Sequence, residues 1–140
     1  MEKNTKEKHH KFIIFSSWFL IFLIFCSFCS CKEPIELKIS VETNPIAASI
    51  TLFNDDTMDY SNVKVTLNVL GVDWAGYDYM LEYTATIKSL KAGSNFVIPL
   101  NKFVDKNGFR YDPNSIRGSH LLYITANTPK GKGECIPEWK

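Results

Sequence analysis

Ile35-Glu36-Leu37-Lys38-Ile39-Ser40-Val41-Glu42 alternates apolar and polar residues without a miss. Successive side chains of a strand point to opposite faces, so this octet places four aliphatic side chains on one surface and four polar ones on the other. That predicts a half-buried strand. Asn44-Pro45 breaks it, and Ala47 to Phe53 predicts a second strand that ends at Asn54-Asp55-Asp56. Val63-Lys64-Val65-Thr66-Leu67-Asn68-Val69 repeats the alternation. In the run from Tyr79 to Leu90, Tyr79, Leu81, Tyr83, Ala85 and Ile87 share one face. Ala92-Gly93-Ser94 turns the chain into a strand over Asn95 to Leu100. Pro99 predicts an edge position for that strand, because proline cannot donate to a ladder.

Farther on, Phe103-Val104 and Phe109-Arg110-Tyr111 flank Asp105-Lys106-Asn107-Gly108, whose Asn-Gly pair readily takes positive φ in a hairpin turn. His120 to Asn127 closes the set. No stretch of this region carries a sustained helical period with caps. Seven or so short strands separated by turns predict an all-β domain over residues 35–140, an immunoglobulin-like β-sandwich.

Upstream of the octet the chain changes character. Met1 to Lys11 is polar and positive, and Phe12 to Cys31 carries no charge and is mostly large and apolar. A positive leader followed by an apolar centre and a small-residue exit is the pattern of a secretory signal. A run of about twenty uncharged residues also just spans a hydrocarbon core at helical rise, so an uncleaved anchor is the alternative, and an ordinary cleaved secreted protein a third. Of the 16 basic and 15 acidic residues, four and two lie in the leader, which leaves the remainder balanced at 12 against 13. Such a mixture offers no basic face for phosphates, so no nucleic-acid partner is expected.

The exit, Phe28-Cys29-Ser30-Cys31, resembles the lipobox of bacterial lipoproteins, in which a small residue precedes an obligatory cysteine. The resemblance implies a signal peptide over residues 1–30 and a diacylglyceryl thioether on Cys31, with residues 31–34 as lipidated cysteine and short tether. Phe28 departs from the aliphatic residue usual there. Cys29 and Cys26 fit less well, because Phe28 and Phe25 precede them. Lys32-Glu33 is similar to the charged tether of some surface-exported lipoproteins. The partner so implied is membrane lipid, held through acylated Cys31, and the place is the cell envelope outside the cytoplasm. Cys26-x-x-Cys29 lies within an apolar stretch, where a thiolate is disfavoured, and lacks a second pair of ligands, which argues against redox or zinc chemistry.

Within the domain, Val63-Lys64-Val65-Thr66-Leu67 and then Ile87-Lys88-Ser89-Leu90-Lys91-Ala92-Gly93-Ser94 ahead of a hydrophobic strand resemble the Ig-like modules of bacterial envelope proteins. The Cys and Trp hallmarks of antibody domains are absent.

Gly71-Val72-Asp73-Trp74-Ala75-Gly76-Tyr77-Asp78-Tyr79 is the most distinctive local feature. Trp74, Tyr77 and Tyr79 on a loop would supply large contact area at low entropic cost, which suits sugar stacking or protein contact. The plainer account has Trp74 folding back over the core and the tyrosines belonging to strands. Asn54, Asp55, Asp56 and Asp59, and again Asp105, Asn107 and Asp112, gather oxygens that could hold calcium. Neither set completes a calcium loop, and turn residues bonding their own backbone explain both, so no metal and no cofactor is expected. Ser119 and His120 are adjacent and would point to opposite faces of a strand, which leaves no simple catalytic pair. Cys135, in a tail with Gly131, Gly133 and Pro137, reads as a passive thiol. Arg110 and Arg117 flank Asp112 and are expected to pair with it or with another acid.

These observations lead to a membrane-tethered, non-enzymatic binding or interaction module; they name no ligand, and its candidate partners are a surface protein or a glycan. One alternative is a structural accessory subunit or spacer of an envelope assembly that uses the edge strand carrying Pro99 or the exposed sheet face. Another is a small hydrolase or a calcium-dependent carbohydrate binder.

Overall fold

A computed structural model describes residues 33–73, 75–114 and 118–140. The leader, the lipobox cysteine Cys31, Trp74 and Arg117 lie outside the described residues. Nine strands follow in chain order: β1 Ile35–Glu36, β2 Ile39–Asn44, β3 Ser49–Asn54, β4 Tyr60–Val72, β5 Asp78–Leu90, β6 Asn95–Pro99, β7 Ser119–Thr128, β8 Gly131–Cys135 and β9 Glu138–Trp139. Among the described residues, a 3-10 turn, Leu100–Lys102, lies between β6 and β7. The strands form a five-stranded sheet in the order β1-β8-β7-β4-β5 and a four-stranded sheet in the order β6-β3-β2-β9.

The chain crosses from the β4–β5 hairpin in one sheet to β6 in the other, then returns to lay β7 beside β4. Crossing between sheets in this way is how immunoglobulin-like sandwiches bury two inner faces against each other. Seven of the strands have five or more residues. The expected all-β sandwich is therefore the observed one.

Alternation decides which side chains meet. Val63, Val65, Leu67 and Val69 of β4, Ala85 and Ile87 of β5, and Leu122 and Ile124 of β7 are buried in one inner layer. Ile39 and Val41 of β2, Ile50 and Leu52 of β3, and Ile98 of β6 are buried in the other. Tyr60, Leu90 and Phe103 fill the ends.

Several boundaries differ from the sequence expectation, each for a physical reason. The perfect octet is not one strand: β1 pairs with β8, while β2 pairs with β3 in the other sheet. Leu37 and Lys38 carry the chain across, and Leu37 stays buried between the sheets, so the alternation survives the crossing. The second strand begins at Ser49 rather than Ala47, because Asn44 Oδ1 accepts the Ala47 amide (2.9 Å) and Ala48 takes a φ of 45° in the preceding turn. Phe103-Val104 and Phe109-Arg110-Tyr111 are not strands: their pairing reduces to single bridges, Thr84 with Val104 and Val104 with Arg110. The C-terminal tail, conversely, is structured. β8 runs antiparallel to β7 and parallel to β1, and β9 runs parallel to β2, with Ser40 opposite Glu138 and Val41 opposite Trp139.

Pro99 occupies the edge strand that its chemistry requires. The Asn54 amide donates to Ser94 O (2.9 Å) and the Leu100 amide to Ala48 O (2.8 Å). In the continuous β3–β6 register this directs the backbone groups of even-numbered β6 residues toward β3 and those of odd-numbered ones outward. The missing N–H of Pro99 is therefore one that would have faced the open edge.

Candidate functional site

β4 and β5 are the longest strands, and their far end carries the loop that the sequence singled out. Asp73 builds the turn. Its amide donates to Tyr77 O (2.9 Å), the Gly76 amide donates to Asp73 O (3.1 Å), and its carboxylate Oδ1 accepts the Ala75 and Tyr77 amides (2.8 and 2.9 Å). Gly76, at a φ of 87°, occupies the left-handed position that closes a three-residue hairpin loop. Tyr77 follows it and is 72% exposed.

The same construction recurs at Asp105-Lys106-Asn107-Gly108-Phe109. The Asp105 amide donates to Phe109 O (2.9 Å), and its Oδ1 accepts the Asn107 and Phe109 amides (both 2.8 Å). Gly108 alone takes positive φ, 86°, so the turn is led by the aspartate rather than by an Asn-Gly pair. Burial works to raise the Asp105 carboxyl, but the Phe109 and Asn107 amides hold it below the usual carboxylate value. Phe109 is 70% exposed. Asp-x-x-Gly-aromatic thus occurs twice, and the repeat is legible in the sequence once the aspartate rather than the Asn-Gly pair is taken as the organiser.

The bridge between Thr84 and Val104 lays the second loop alongside β5, pointing toward the first. A groove of about 570 Å³ lies between the second loop and the outer face of β5, with Met80, Glu82, Val104 and Lys106 among its walls. On the outer face, Leu70 sits opposite Met80, with Leu121 diagonal to it and Val72 two residues on. All four are exposed. Sequence reasoning missed this patch. Its signal is apolar residues at the outward positions of an alternation that is otherwise Lys64, Thr66 and Asn68.

Of the expected ligand-binding residues, Tyr77 stands at the hairpin tip and Tyr79 lies half-buried on β5, on the inward side opposite Gly71. Trp74 is outside the described residues. His120 reaches the inner side of the same pole, where its Nε2 is 2.8 Å from the Tyr111 hydroxyl. Tyr83, Tyr111 and His120 form an edge-to-face series with centroids 5.3 and 5.9 Å apart. Tyr111 is buried, which pushes its phenol pKa up. The series closes this end of the core.

The acidic clusters spend their oxygens on the fold. Asn54 Oδ1 accepts the Asp56 amide (3.0 Å), and its Nδ2 donates to Met58 O and Leu90 O. Asp56 accepts the Thr57 amide and the Tyr60 hydroxyl, and Asp59 accepts Lys91 Nζ (2.7 Å) and the Ala92 amide (3.0 Å). Asp112 Oδ1 accepts the Asn114 amide (2.9 Å). Among the described residues, the ion pairs are Lys91–Asp59 and Lys140–Asp55.

A second cleft, about 290 Å³, opens where the N- and C-terminal strands change sheets, lined in part by Ser40, Asp55 and Cys135. Ser40 donates to the Asp55 carboxylate, which also takes Lys140 Nζ at 3.2 Å. Burial pushes the Cys135 thiol up to about 11, against the opposing pull of a hydrogen bond donated by the Ile39 backbone amide. A thiol so held stays protonated and is a poor nucleophile at neutral pH.

No protein-family profile matches this chain, and none of the curated proteins compared with it is a match.

Proposed function

We propose that this protein is a lipoprotein whose β-sandwich is a non-enzymatic binding module, tethered outside the cytoplasm through acylated Cys31 and offering the Tyr77 pole to a surface protein or glycan. One observation carries the reading. Ile35 is level with Gly133, Gly133 with Ala126, and Ala126 with the Asn62-Val63 region of β4. The turn at Asp73 lies ten residues farther along β4, about 33 Å at 3.3 Å per residue. The domain's first strand and its exposed aromatic tip are thus at opposite poles. Only Lys32 and Glu33 separate Cys31 from Pro34, so a lipid on Cys31 would hold the first pole at the bilayer and leave Tyr77, Met80, Leu70 and Phe109 facing away from it. Tyrosine and exposed apolar side chains on rigid hairpins are suited to contact with sugars or proteins.

Intact mass and detergent partitioning of the wild type and Cys31→Ser, expressed in a bacterial host, test the tether. A shortened, acylated, membrane-bound wild type beside an unacylated mutant supports it. Retention of Met1 to Ser30 in both overturns it in favour of a transmembrane anchor. For the pole, Trp74→Ala and Tyr77→Ala should abolish retention on polysaccharide or on intact cells while circular dichroism is unchanged. Undiminished retention by both variants overturns the assignment.

A further inference from the structure

We propose that the open edge of β6 is a second interaction surface, which takes an extended segment of a partner protein as an added strand, with an acidic residue of that segment meeting Lys102. The β3–β6 register leaves the N–H and C=O groups of Asn95 and Val97, and the C=O of Pro99, directed away from β3. The Asn95 and Val97 amides have no hydrogen-bond acceptor among the described residues. An unpaired row of this kind is a template for another strand, and proteins ordinarily guard it with charge or cover.

The neighbouring edge of β5 is guarded in both ways: Val104 pairs with Thr84, and Lys88 follows. β6 has neither of these, and its one guard, Pro99, stands at the very end of the strand. Asn95-Phe96-Val97-Ile98-Pro99 holds no charge, and Phe96 and Val97 are 42% and 52% exposed. Beside it a groove of about 330 Å³ separates β6 from β5, floored by Ala85, Ile87 and Ile98 and walled by Phe96. Lys102 is its one charged lining residue, and no acid lines it.

The geometry states what would fit. In an antiparallel addition, the partner residue opposite Val97 exchanges two hydrogen bonds with it, and the residues opposite Phe96 and Ile98 turn their side chains into the groove. Those two must be apolar. A residue two positions N-terminal to the second of them lies beyond Pro99, toward Lys102, and a carboxylate there complements the ammonium. Main-chain bonds then supply affinity, and the alternate side chains supply selectivity. This site is separate from the Tyr77 pole and does not depend on it.

The test uses the full-length protein in detergent and a fluorescent peptide, acetyl-Glu-Ser-Val-Thr-Val-Thr-amide, read by anisotropy. Saturable binding is expected. It should weaken about tenfold when the peptide is N-methylated at its first Thr, which faces Val97, and be little changed by methylation of the preceding Val, whose N–H points away. Val97→Pro should likewise weaken binding at least tenfold, Lys102→Glu should weaken it, and Lys102→Arg should retain it, with Tyr77→Ala unaffected. The peptide variants leave the protein untouched, so a poorly folded Val97→Pro does not spoil the test. Absence of saturable binding overturns the proposal, as does equal sensitivity to both methylations. Concentration-dependent dimerisation of the wild type that Val97→Pro removes also overturns it, because the edge would then belong to a second copy of this chain.

Discussion

Gly133 faces the side chain of Leu37 so closely that a Cβ would lie 2.4 Å from its Cδ2 and 2.8 Å from Ile35 O. β1 and β8 run parallel here, and the two chains close only if one residue has no side chain. Gly133→Ala should therefore lose about 1–3 kcal/mol in urea unfolding, the usual cost of forcing extra volume into a packed site. Tyr60 is a second residue whose role is set by its surroundings. Its hydroxyl donates to Asp56 Oδ2 (2.8 Å) and accepts the Lys38 amide (3.2 Å) while its ring is buried. Tyr60→Phe keeps the ring and strands the Lys38 amide, so we expect a loss of about 1–3 kcal/mol by the same measurement. Neither residue stood out in the sequence, because a glycine in a polar tail and a tyrosine after an acidic turn have many ordinary explanations.

At the scale of elements, the two aspartate-led turns decide where the exposed aromatics stand. A Cβ added at Gly76 or Gly108 would meet nothing within 4 Å, so space is not the constraint there. The constraint is the backbone, with φ at 87° and 86°. Gly76→Ala and Gly108→Ala should each cost about 1–2 kcal/mol from backbone strain alone, measured as a lowered urea midpoint. The strand assignments that succeeded were those with unbroken alternation, such as Val63 to Val69, whose four aliphatic residues are all buried. The failures were of another kind. The first octet divides between two sheets without disturbing its alternation, so no local pattern marks the crossing. β8 and β9 were overlooked because Gly131-Lys132-Gly133-Glu134 carries little apolar signal. Their pairing depends on β7, β1 and β2, which are remote in the chain.

For the molecule as a whole, titration should limit stability on both sides of neutrality. Hydrogen bonds from Ser40, Tyr60 and Lys91 hold Asp55, Asp56 and Asp59, respectively, below the ordinary carboxylate value of 3.8. A depressed folded-state pKa contributes stability above the unfolded value and loses it as the pH falls through the folded one. Unfolding should therefore become easier below about pH 4. On the alkaline side, burial raises Tyr60 from 10.0 to about 12 and Cys135 from 9.0 to about 11. These groups stabilise the fold while protonated in both states, and that contribution is lost as the pH rises from 9 toward 12. Thermal melts across the pH range should show a plateau between those limits. A melting temperature that stays level from pH 9 to 12 would contradict the burial of both groups.

Sequence alone determined the fold class, because strand alternation and the burial of one face are two statements of the same geometry. It also located the aromatic loop and the edge strand, since glycine, proline and aspartate act on the backbone within a few residues of themselves. Only tertiary structure decided which strands share a sheet, that the first two strands of the domain pair in parallel with the last two, and that the hairpin tip at Tyr77 lies at the pole opposite β1. It alone brought Leu70, Met80 and Leu121 into one patch and left the amide of Val97 without an acceptor among the described residues. Those facts depend on register between segments far apart in the chain, and hydrogen bonds between strands leave no mark on the order of residues within any one of them.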